Sequence, residues 1–134
     1  MTDDKPTVGA DAEIVELATR LFGYARTGDA ARLSAYLDAG VLADLRNQSG
    51  DSLLMLSAYH GHADAVRALL THGATPDLAN DRGQTPLAGA VFKGFDDVVD
   101  VLVDAGADPS AGTPSAIDTA TMFGRTDYLS RWEN

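Results

Sequence analysis

The chain has 134 residues, 45% of them hydrophobic and 22% charged, which suits one compact domain or a short repeat array and is too apolar for disorder. Twenty acidic residues against ten basic ones give a net charge of −10, which opposes binding to nucleic acid or anionic membranes and favours a partner with a basic patch. Cysteine is absent, which excludes disulfides and thiolate metal sites, and no apolar run approaches the roughly 18–20 residues of a membrane span.

The opening Met1-Thr-Asp-Asp-Lys-Pro-Thr-Val-Gly has no basic segment followed by an apolar stretch, so no secretory signal is read and the cytoplasm is the expected location. Residues 1–10 are expected to form a disordered tail. Beyond them the chain repeats itself. A shift of 33 residues places Leu21, Gly28, Leu37 and Gly40 under Leu54, Gly61, Leu70 and Gly73. The same shift carries Gly50, Leu54, Gly61 and Gly73-Ala74 onto Gly83, Leu87, Gly94 and Gly106-Ala107. A shift of 30 then takes Leu87, Ala90 and Gly94 to Ile117, Ala120 and Gly124, so the chain holds four copies, the last shortened in its connecting segment.

Each copy reads as two short helices. Ser52, Thr85 and Ser115 stand where a side-chain oxygen caps the first helix, and Pro86 suits a first helical position because it lacks the unsatisfied N–H. Gly28, Gly61, Gly94 and Gly124 end the first helix, where a left-handed residue is wanted. Asp64, or Asp96 with Asp97, opens the second, where carboxylates complement the helix dipole, and Gly40, Gly73 and Gly106 close it. Neither helix can bury its apolar face alone. Leu54, Val66, Leu69 and Leu70 require Leu87, Val99, Leu102 and Val103 of the next copy, which makes the chain a stacked solenoid.

Asn80-Asp-Arg-Gly-Gln-Thr-Pro-Leu, then Gly94 and Leu102-Val-Asp-Ala-Gly-Ala-Asp, resembles an ankyrin repeat, and Gly61-His62 with Leu69-Leu-Thr-His-Gly-Ala agrees with it. The resemblance implies an all-α solenoid of helix-turn-helix units with short β-turn fingers, a single domain over residues 11–134. Its repeats would run about 14–46, 47–79, 80–109 and 110–134, with the outer two as caps. Glu13, Glu16 and Arg20 fit the wetted face at one end; Arg125, Asp127, Arg131 and Glu133 fit it at the other. The chain departs from the family where His usually follows Thr-Pro-Leu: that column holds Phe22, Met55, Ala88 and Asp118, so the His-centred turn network is expected to be missing. The next column reads Gly23, Leu56, Gly89 and Thr119. A helical Gly costs on the order of 1 kcal/mol against Ala, so Gly89→Ala is expected to raise the melting temperature unless close packing demands the glycine.

His60, His62 and His72 invite a metal site. On a helix, residues two apart point about 200° apart, and no Cys or carboxylate cluster completes a ligand set, so structural or surface roles are expected and no metal. Asp96, Asp97, Asp100 and Asp104 form an acidic stripe unlike a calcium loop, read first as a solvated face and second as a docking face. Gly50 and Gly83 lack the spacing that cradles phosphate, and no nucleophile–base motif surrounds the histidines. No enzyme activity and no cofactor are therefore expected.

The resemblance implies binding to another protein through the concave groove, by turn tips and first-helix ends. Carried over residue by residue, it selects Arg26, Tyr59, Phe92 and Met122 in one column and Thr27, His60, Lys93 and Phe123 in the next. At the turns it selects Gln48, Ser49, Asp51, Asp81, Arg82 and Gln84. Tyr59, Phe92, Met122 and Phe123 would be apolar anchors, and the charged residues would select at the rim. The chain alone is expected to be monomeric. The alternatives are an accessory protein docking on an enzyme through the acidic outer helices and, more remotely, a metal-dependent hydrolase.

Overall fold

A computed structural model describes residues 4–132 and contains eight helices there: α1 Asp4–Thr27, α2 Ala30–Asp38, α3 Leu53–Tyr59, α4 Ala63–Thr71, α5 Pro86–Lys93, α6 Asp96–Asp104, α7 Ala116–Met122 and α8 Thr126–Trp132. They form four antiparallel pairs in two layers. The first helices stack in the order α1, α3, α5, α7, and the second helices α2, α4 and α6 stack behind them, with α8 paired to α7. Among the described residues there is no sheet; isolated bridges at Arg46–Ser52 and Gly112–Ser115 mark the turns between pairs. The architecture is an all-α solenoid.

Local signals set the helix ends as the sequence implies. The Ser52, Thr85 and Ser115 hydroxyls accept from the amides of Met55, Ala88 and Asp118 at 2.9, 3.2 and 3.0 Å. Asp118 returns the favour by accepting from the Ser115 amide, closing a capping box. Gly28, Gly61, Gly94 and Gly124 all take positive φ. At Gly28 two constraints coincide, because φ is +79° and a Cβ would lie 2.5 Å from the His62 ring.

The expected apolar partners meet in one continuous core. Leu54, Val66 and Leu69 are fully buried, as are Leu87, Val99 and Leu102 of the following pair. Each such side chain contributes roughly 1.5–3 kcal/mol relative to exposure, so the stack, and not any single pair, is the stable unit. Leu70 and Val103 are only half-buried, packed against the edge of this core.

Two features differ from the repeat pattern. The first is α1, whose 24 residues start well before the first copy and pass through most of the segment expected as a tail; residues 1–3 and the cap residue Glu133 lie outside the described residues. The second is the turn network. It is centred on asparagine: Asn80 Oδ1 accepts from the amides of Arg82 and Gln84, each at 3.0 Å. Its amide nitrogen donates to Asp51 and to Gln84, both at 2.8 Å. Asn47 does the same one copy earlier, accepting from Ser49 and Asp51.

Polar ties link successive copies. Asp44 accepts from the Thr75 amide at 2.8 Å, and Asp77 from the Asp108 amide at 2.9 Å. The last pair is held by Asp96, which accepts from Arg125 and from the hydroxyl of buried Tyr128, and by Arg131 donating to Asp100 at 2.9 Å. Burial, then the hydrogen bond to Asp96, pushes the Tyr128 hydroxyl up to about 12. The same hydrogen bond, followed by that from Arg125, holds Asp96 below the usual carboxylate range.

Candidate functional site

The turns and the first-helix layer enclose a cavity of about 300 Å³. Five of the residues singled out from the sequence line it together: Asp51, Tyr59, Arg82, Gln84 and Phe92. Its floor is Met55 and Leu56 from α3, Ala88 and Gly89 from α5, and Thr119 from α7, with Pro114 at one wall. Gly89 lets α3 and α5 approach closely: a Cβ there would come within 3.1 Å of the Met55 methyl and 3.3 Å of the Tyr59 ring.

Tyr59 is half-buried and forms the boundary between cavity and rim. The Lys93 ammonium lies 5.0 Å above its ring, and the His60 ring meets its edge at 5.8 Å. Phe92 remains 54% exposed and Phe123 51%, packed edge to face with centroids 5.6 Å apart, so the two rings form one apolar ledge beside the cavity. Met122, 67% exposed, lies outside the cavity. Arg26 and His60 are exposed at first-helix ends; Gln48, Ser49 and Asp81 are exposed at turns, where the Asp81 amide donates to the Ser49 carbonyl at 3.2 Å. These five residues are also outside the cavity lining.

The sequence columns missed Met55, Leu56, Ala88, Gly89, Thr119 and Pro114. A signal for most of them existed, since five fall in the two columns where the chain departs from the usual repeat. Their role there was not legible, because a floor is made by three copies at once.

The electrostatics divide by layer. Burial first, and then the charges of His62, Lys93 and Arg26, hold the His60 imidazole below its ordinary value. His62 is committed to structure, with Nε2 2.7 Å from the Arg26 carbonyl. His72 is too: Nδ1 lies 2.8 Å from the Ala68 carbonyl and Nε2 2.7 Å from Asp38, and the carbonyl, followed by the carboxylate, raises its pKa. Among the described residues no group of three His, Cys, Asp or Glu side chains is placed to hold a metal ion. No helix there is long and apolar enough to cross a membrane.

A family model described as ankyrin repeats in three copies matches residues 21–113. The ankyrin repeat protein PA3287 of Pseudomonas aeruginosa is 49% identical over 63 residues, which make up 47% of this chain and 37% of that protein. The chain thus matches little more than a third of that relative's length. Its four stacked helix pairs, its turn-borne caps and a family match across more than half its length lead to one conclusion: the chain belongs to the ankyrin-repeat family.

Proposed function

We propose that the chain is a protein–protein recognition module without catalytic activity, and that it grips its partner in the groove between the turns and the first-helix layer. The observation that carries this reading is the cavity walled by Tyr59 and Phe92 beside the exposed Phe92–Phe123 ledge. Exposed aromatic side chains next to a concave apolar floor are the features that anchor protein interfaces. Arg26, His60, Asp81, Arg82 and Lys93 supply polar selection around it, with Gln48, Ser49, Asp51 and Gln84 at the turns and Met122 extending the apolar line.

The acidic outer helices support docking less well. Asp96 and Asp100 are already engaged in fastening the last helix pair, and Asp64 is paired with Arg67 at 2.7 Å. The test is affinity capture from native cell extract with the wild type and Tyr59→Ala/Phe92→Ala in parallel. The double variant is expected to keep its helical circular dichroism and lose the captured protein. Equal capture by both proteins would refute the groove; loss instead in Asp97→Asn/Asp104→Asn would move the site to the outer face.

A further inference from the structure

The cavity lining and its rim hold two cations, Arg82 and Lys93, against one carboxylate, Asp51, in a chain whose net charge is −10. Arginines on the second helices, or on the loop leading into α8, are bonded to carboxylates: Arg32 to Asp29, Arg67 to Asp64, Arg125 to Asp96 and Asp127, and Arg131 to Asp100. Arg26, Arg82 and Lys93, on the first helices and the turn at Asn80, have no carboxylate partner among the described residues. Arg20 on α1 also has none, and Arg46 donates to the Ala79 carbonyl. The acidic groups nearest the groove keep their charge, but two of the three are tied into local hydrogen bonds. Asp51 accepts from Asn80, Asp118 closes the cap of α7, and Asp81 turns its carboxylate back onto Gly50.

Two positions combine this charge with the apolar cavity. Arg82 lines the cavity beside Phe92, and Lys93 stands over the face of Tyr59 on its rim. A cation above an aromatic face is attracted by the ring without losing its N–H donors, so Lys93 keeps them for an incoming acceptor. Burial is the first cause of the lowered His60 titration, and the charges of His62, Lys93 and Arg26 add to it.

We propose that the groove receives a protein segment bearing one bulky apolar side chain flanked by carboxylates. The apolar side chain enters the cavity between Tyr59 and Phe92, and the carboxylates meet Arg82 and Lys93. This deepens, and rests on, the reading that the groove is the binding face. The chain's overall negative charge does not prevent it. At physiological salt, exposed charges beyond about 8 Å are largely screened, so the acids of the outer layer act only weakly at Arg82 and Lys93. Complementary charge at the rim also fixes the register of the segment, which an apolar cavity alone does not do.

The test uses the full chain and a random-peptide phage library, followed by titration of the enriched peptides in solution. Enrichment of an aromatic or branched apolar residue with Asp or Glu close by is expected. Affinity should fall about tenfold or more in Arg82→Glu/Lys93→Glu. It should hold in Arg32→Glu/Arg67→Glu, which has the same net charge but is altered only on the outer layer. If the peptides are basic or uncharged, or ignore the groove charge reversal while Tyr59→Ala/Phe92→Ala abolishes binding, this inference is overturned and the groove reading stands. Peptides indifferent to Tyr59→Ala/Phe92→Ala overturn both. A selection that enriches nothing overturns the assignment of a short acidic segment, and the capture experiment then judges the groove by itself.

Discussion

Gly23 and Gly89 occupy equivalent positions in two copies, and the structure gives their replacement by alanine different outcomes. At Gly23, inside α1, an added Cβ meets nothing within 4 Å and φ is outside the left-handed region. Gly23→Ala therefore gains the helix-propensity difference, about 1 kcal/mol, with no opposing contact. For a domain of this size that is roughly 3–5 °C in Tm. At Gly89 the same gain is opposed, since the new methyl comes within 3.1 Å of Met55 Cε and 3.3 Å of the Tyr59 ring. Both are tighter than ordinary contact, so the neighbours must shift by a few tenths of an ångström. Met55 Cε is the end of a flexible side chain that borders the cavity, so it can yield at modest cost. Gly89→Ala should still raise Tm, by less than Gly23→Ala does. Thermal and urea unfolding of both single variants and of the double variant would measure the two effects. A Tm for Gly23→Ala at or below wild type would refute the reasoning at its base. A lowered Tm for Gly89→Ala alone would show that close approach of α3 and α5 outweighs propensity.

Other outcomes follow from individual contacts. Both His72 nitrogens face oxygens, so only the protonated ring can donate to both Ala68 and Asp38. Its folded pKa is raised, so its stabilisation is fully present below the unfolded value of about 6.5 and is lost as pH rises through the folded value. The difference in urea midpoint between wild type and His72→Gln should therefore shrink from pH 5.5 to pH 8.5; a difference independent of pH would refute that assignment. Leu87→Ala empties a fully buried position between successive copies and should cost about 2–5 kcal/mol, read as a lowered denaturation midpoint. Ser115→Ala breaks the capping box of α7 and should cost about 1 kcal/mol, with hydrogen exchange accelerated in α7 and α8 before the rest of the stack.

Much of the fold was legible because each copy carries its own local instructions. Thr85 with Pro86, the serine caps and the helix-ending glycines act over a few residues, and their recurrence at a constant period dictates stacking. The asparagine turn network was less legible. Asn47 and Asn80 sit at ordinary turn positions, and only folding shows that each side chain binds two amides of its own turn. The length of α1 was also hidden, since its first turns have no counterpart in the other copies.

The candidate site divides in the same way. The sequence by itself determined which side chains were left over after the helices and core were assigned, and Tyr59, Phe92, Arg82 and Lys93 were among them. Tertiary structure alone decided that Tyr59, Phe92 and Arg82 share a cavity with Lys93 at its rim, while Met122, Arg26, Gln48 and Ser49 stand apart. The physical reason is distance along the chain. Capping and helix termination are satisfied within a few residues of one copy. The cavity is lined at once by Ala88 and Gly89, by Met55 from the copy before and by Thr119 and Pro114 from the copy after, so no single copy specifies it.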